Sequence, residues 1–91
     1  GRAVALAPRD AAAHDDYGRG LLMADRLDEA AAQLEAARAL TPEDVQVLFT
    51  LARVRLSQGR RAEAAGLLSR ARELEPGEPL IAEALRLAAG P

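Results

Sequence analysis

Along the chain, blocks in which apolar residues recur every three or four positions alternate with short breaks built on proline and glycine. Tyr17, Gly18, Leu21 and Ala24 fall on one face of a helix, and Ala30, Leu34 and Ala37 on one face of the next. Leu48, Leu51 and Ala52, followed by Ala64, Leu68 and Ala71, renew the arrangement, with Gln58 to Arg61 between them carrying Gly59 as a helix stop. The spacing predicts helices at roughly 11–24, 28–40, 45–58, 62–74 and 79–88, with residues 2–6 as the last turns of an earlier helix. Asp10 and Asp44 are natural N-caps, because a short carboxylate accepts the free amides of a first turn. Glu78 is a poorer cap, although Pro79 suits the first helical position.

These blocks recur with a fixed period. Pro8, Pro42 and Pro76 stand 34 residues apart, and so do Ala3, Ala37 and Ala71, and Leu6, Leu40 and Leu74. Asp10 and Asp44 follow their prolines at the same distance, where the third copy has Glu78. Several columns of matched chemistry at one offset are the signature of stacked repeats, each too small to bury its own apolar face. Each proline ends a repeat, because it lacks the amide hydrogen and clashes with the preceding turn. The expected division is a single domain over 1–91, with the end of a preceding repeat at 1–10, repeat one at 11–44, repeat two at 45–78 and a C-terminal capping helix at 79–91.

The period and its residues resemble the tetratricopeptide repeat family, whose unit carries W-x2-L-G-x2-Y, then A-x3-F, then P. His14, Tyr17, Gly18, Leu21, Ala30, Leu34 and Pro42 stand in those places in the first copy. Leu48, Leu51, Ala52, Arg55, Ala64, Leu68 and Pro76 stand there in the second. With the flanking half-repeats the resemblance covers essentially the whole chain. It implies an all-α fold, a right-handed α-solenoid of antiparallel helix pairs with two complete repeats. The small residues let helices touch: Gly18 and Ala52 from one helix of each pair, Ala30 and Ala64 from the other. Two places depart from the pattern. His14 replaces tryptophan and shrinks the local core, and Arg55 replaces an aromatic or aliphatic residue, so that either the inter-repeat contact is looser or the arginine stem packs while its guanidinium reaches water.

Composition agrees with helices packed through small side chains: 49% of residues are hydrophobic and only 2% aromatic, with alanine dominant. Strands would call for Val, Ile, Thr and aromatics. A net charge of -2 and interspersed signs give no general attraction to nucleic acid. With no cysteine there is no disulfide, thiolate nucleophile or Cys-based metal site. The longest apolar stretches fall far short of the roughly 18 residues a membrane span requires. All basic residues are arginine and there is no asparagine, a bias typical of GC-rich bacterial genomes. The compartment stays open between cytoplasm and periplasm.

No catalytic or cofactor constellation emerges. His14-Asp15-Asp16 points its members about 100° apart on a helix and has no second histidine, so metal binding is not expected. Ser57 and Ser69 lie in the second repeat, away from the single histidine that a nucleophilic mechanism would need. Gly18-Arg19-Gly20 lies inside a periodic helix and lacks the Lys-Ser/Thr of a phosphate loop. The expected activity is therefore not enzymatic, and no cofactor is expected. The family resemblance implies a concave groove that binds another protein or peptide, lined here by Asp15, Asp16, Arg19, Leu22 and Met23 and by Gln46, Phe49, Thr50, Arg53 and Leu56. Lysine and asparagine, which clamp a carboxyl terminus in one branch of that family, are both missing. The alternative is a structural scaffold, or a homo-oligomer formed through repeat ends, with Val4, Leu6, Leu80 and Leu87 left without a neighbour. No nucleic-acid or membrane partner is expected.

Overall fold

The repeat is written into the backbone angles as well as into the residues. Arg26 and Arg60, one period apart, have φ/ψ of -97°/73° and -95°/70°. Thr41 and Glu75 follow at -135°/77° and -136°/79°, and Asp44 and Glu78 at -80°/111° and -83°/112°. The computed structural model describes the backbone of residues 2–90 and the side chains of residues 13–90. Five helices order that span: α1 Arg2–Met23, α2 Leu27–Leu40, α3 Val45–Ser57, α4 Arg61–Leu74 and α5 Pro79–Ala89. The side chains of Val4 and Leu6 lie outside the described residues.

Each boundary has a local cause. Asp44 caps α3, accepting from the amides of Gln46 at 2.9 Å and Val47 at 3.4 Å. Glu78 caps with one amide where Asp44 takes two, its longer side chain folding back to accept from Leu80 at 3.2 Å while Pro79 opens α5. At the end of α3, Gly59 takes a left-handed φ of 81°, and the Arg60 amide donates to the Arg55 carbonyl at 2.8 Å. One period earlier Asp25 holds φ 64° without being glycine, and the Arg26 amide reaches the Leu21 carbonyl at the same 2.8 Å. A short polar side chain tolerates this conformation better than most, which is how the turn survives without glycine.

The expectation fails at Pro8. α1 runs unbroken from Arg2, so Pro8 and Asp10 lie inside a helix and not at a repeat boundary. Pro42 and Pro76 fall where folding back lets α2 pack on α3 and α4 on α5. Ala7, the residue before Pro8, is a strong helix former, whereas Thr41, before Pro42, turns its hydroxyl back to donate to the Ala37 carbonyl at 3.1 Å as α2 ends.

Neighbouring helices pair in sequence, and their contacts lie where small residues stand. Gly18 is buried against Leu34, and Ala30, Ala52, Ala64, Ala71 and Leu68 have no exposed surface at all. With Leu21, Leu48, Leu51, Val54 and Ile81 they form one continuous core. His14 packs at its edge, its Nδ1–H donating to Gln33 Oε1 at 2.6 Å. The Arg55 guanidinium is largely withdrawn from water and is held by partners on three sides, so neither expectation describes it fully. Its side chain is 14% exposed, and it meets Glu35 of α2 at 3.0 Å, Glu63 of α4 at 3.3 Å and the Gln58 side-chain oxygen at 3.0 Å. A guanidinium carries enough donors to serve three acceptors at once, so the apolar site became an ionic junction.

Two glycines of α1 test the close-approach argument against helix propensity. A Cβ on Gly18 would stand 2.7 Å from Leu34 Cγ, a fully buried side chain with nowhere to move. A Cβ on Gly20 would meet nothing within 4 Å. Gly18→Ala is expected to lower stability by about 1–3 kcal/mol, and Gly20→Ala to raise it by up to about 1 kcal/mol. Opposite shifts of the urea midpoint check both, and equal shifts would remove the packing account of Gly18.

Candidate functional site

α1 touches α3 and α3 touches α5, whereas α2 and α4 make no comparable approach to each other. The first helices of the pairs therefore stand closer together than the second, and the stack curves with α1, α3 and α5 on its inner side. Two adjoining clefts run along that face. One, of about 700 Å³, lies between the starts of α3 and α5 and is lined by Gln46, Phe49, Arg53, Leu80 and Ile81, with Arg19 at its edge. The other, of about 470 Å³, continues toward the helix ends past Leu22, Met23, Leu56 and Leu87. Phe49, Arg53 and Leu80 belong to both.

Seven of the ten residues expected in the groove line its clefts, and Asp16 is exposed beside them, paired with Arg19. Asp16, Arg19, Gln46, Arg53 and Met23 are exposed, Met23 at 86%, and Leu22, Phe49 and Leu56 are half-buried. Phe49 also packs on the core, so it is less free than an isolated surface aromatic. Asp15 and Thr50 are different. Asp15 is 5% exposed and Thr50 not at all, so both lie in the seam between α1 and α3 and not on a surface open to a partner. The projection of the helical face took no account of the neighbouring first helix, which covers Asp15 and Thr50.

That seam is unusual for a core. One Asp15 oxygen lies 3.6 Å from Arg19 Nε, while its other oxygen, Oδ1, has no hydrogen-bond partner among the described residues. The Thr50 hydroxyl is already committed, donating to the Gln46 carbonyl at 2.9 Å and accepting from the Gln46 side-chain amide at 3.2 Å. Burial pushes the Asp15 carboxyl above the ordinary aspartate range. Arg19 and Thr50 oppose the shift without cancelling it, and Asp16 and Asp44 add to it. Arg19 is held by Asp15 and Asp16 together.

The groove also takes Leu80, Glu83 and Leu87 from α5, which the projection omitted. The signal was present, because these residues stand one period after Gln46, Phe49 and Arg53. On the outer side a third cleft, of about 730 Å³, separates α2 from α4 above Leu48 and Arg55, with its arginines paired to Glu35, Glu43, Glu63 and Glu73. No helix among the described residues is long and apolar enough to cross a membrane.

Among known proteins, the family model described as tetratricopeptide repeat matches residues 21–88, more than half of the chain. No curated protein matches it.

The raised Asp15 carboxyl sets a pH dependence of stability. The folded state holds this proton to higher pH than the unfolded chain, so stability from this group is full below the ordinary value of 3.8 and declines as pH rises toward the raised folded value. Asp15→Asn removes that decline. Thermal melting between about pH 3.5 and 7 is expected to show the variant's advantage over the parent growing with pH and then levelling. A pH-independent difference would remove the argument.

Proposed function

Because the chain belongs to the tetratricopeptide repeat family, we propose that it is a non-catalytic protein-interaction module whose inner groove holds an extended peptide or a helix of another protein. The family's role is in general one of protein interaction and scaffolding. The observation that carries the reading is the concentration of exposed apolar side chains on one face: Met23 at 86%, Leu87 at 66% and Leu80 at 58%, bordering half-buried Phe49, Leu22 and Leu56. Apolar side chains gathered on one concave face of a small chain gain free energy when a partner covers them. Interface energy concentrates in aromatic and arginine residues, and Phe49 and Arg53 occupy the centre, in both clefts.

A random peptide display library selected on the parent protein tests this reading. Binders are expected to shift the backbone amides of Leu22–Met23, Phe49–Leu56 and Leu80–Leu87, and to lose about 1–3 kcal/mol on Arg53→Ala with an unchanged melting temperature. Phe49→Ala is expected to weaken the same binders while lowering the melting temperature modestly, since that ring also touches the core. Binders that map to the α2–α4 side would overturn the reading.

One feature favours self-association through a repeat end. Tyr17 is 56% exposed, while Leu51, its counterpart one period later, is completely buried. α1 thus shows to solvent a face that α3 covers with the preceding pair. If that face stacks on a second copy, the mass measured by light scattering rises with protein concentration and Tyr17→Ser restores the monomer. A constant mass over the series removes this reading.

A further inference from the structure

The charges along the groove are not equally available. Arg19 is held by Asp15 and Asp16, and Glu43 by Arg70 at 2.9 Å. Asp44 and Glu78 are occupied with the backbone amides they cap. Arg53 and Glu83 enter no ion pair among the described residues, although both line the same trough.

The walls on which these two stand have matching patterns. Phe49, Arg53 and Leu56 follow one another along the groove side of α3, and Leu80, Glu83 and Leu87 along that of α5. Each wall is apolar at both ends and charged in the middle, and the two charges are opposite. The floor between them is apolar, with Ala84 buried.

We propose that the occupant of the groove is an amphipathic helix seated between α3 and α5, with an apolar seam on the trough, a carboxylate on the flank toward Arg53 and a cation on the flank toward Glu83. This specifies the occupant of the groove and rests on that groove's being the interaction site. A helix fits because of its backbone. Gln46 and Arg19 stand in the adjoining cleft at the helix starts, whereas in the cleft toward the helix ends the only hydrogen-bonding side chains among the described residues are Arg53, Glu83 and Ser57. An extended segment laid there would leave its amides and carbonyls dry and unpaired, whereas a helix satisfies its own. The flank charges follow from complementarity. A neutral helix would strip water from Arg53 and Glu83 and return nothing, while opposite charges beside an apolar seam restore both, as flanking pairs do between packed helices.

Three fluorescein-labelled synthetic helices of about 18 residues, long enough to hold helical structure when bound, test this. They share one leucine seam and differ only on their flanks, which carry Glu and Lys, Gln and Gln, or Lys and Lys. Fluorescence anisotropy is expected to give the Glu/Lys helix about tenfold tighter binding to the parent protein than the other two. Arg53→Glu is expected to transfer the preference to the Lys/Lys helix. Equal binding of all three, an unchanged ranking on Arg53→Glu, or no binding by any of them overturns the proposal. Leu87→Ser separates this outcome from failure of the groove itself, because the side chain is mostly solvent-exposed and the fold does not depend on it. If Leu87→Ser weakens all three helices equally while flank charge has no effect, the groove stands and the charge assignment falls. If Leu87→Ser changes no affinity, the groove falls as well.

Discussion

The distance at which paired helices approach one another controls everything else in this chain. With no tryptophan and a single phenylalanine, the molecule cannot fill wide gaps, so it brings backbones together instead. Gly18 meets Leu34 where even a methyl group would intrude, and Ala30, Ala52 and Ala64 are completely buried at the corresponding crossings. Close packing at these few points substitutes for the bulk of an aromatic core, and it does so at the same register in each repeat. The approach within a pair then fixes the tilt of the next, since α2 must pack on α3 and α4 on α5.

Curvature follows from that packing, and the groove from the curvature. The first helices touch one another and the second helices do not, so side chains projecting from α1, α3 and α5 converge on one surface. Convergence has two results that differ along the groove. Near α1 it brings Asp15 under α3 and leaves a carboxylate oxygen without a donor among the described residues. Such an atom stays solvated in the unfolded chain and is stranded in the folded one, a cost that the core must offset. Near α5 the same face carries exposed leucines and two charges, Arg53 and Glu83, that are unpaired among the described residues. Structural cost lies at one end and exposed apolar surface at the other.

Most of the fold could be read from the residues because its determinants are local. Period, caps and small residues are properties of a dozen consecutive positions, and four of the five helices begin and end within a residue or two of the expected places. The misreadings come from determinants that are not local. Pro8 shares with Pro42 a leucine two residues before and an aspartate two residues after, yet it lies inside a helix where Pro42 lies between two. Asp25 takes the left-handed turn that glycine takes one period later, and nothing in its own neighbourhood says so. In the groove, Phe49 and Asp15 occupy equivalent repeat positions. One lies half-open and the other buried, because burial depends on which helix stands alongside. A helical wheel gives direction but not cover.

Arg55 shows how this small core tolerates a charge at an inter-repeat contact. An aliphatic side chain there would draw α2, α3 and α4 together without preference among nearby arrangements, since apolar contact is not directional. The guanidinium, largely withdrawn from water, has to satisfy its donors, and Glu35, Glu63 and Gln58 satisfy them only when the three helices hold one register. Gln58 extends the constraint by donating to Asp28 at the start of α2, at 3.0 Å. Ion pairs of this kind add little net stability, because desolvation takes back most of what attraction supplies. Their effect lies in discrimination among arrangements. Glu35 and Glu63, on opposite sides of the outer cleft, are drawn toward one cation, which limits how far α2 and α4 can part. Since that separation sets the bend, the charge on the outer face helps fix the spacing of the walls on the inner one.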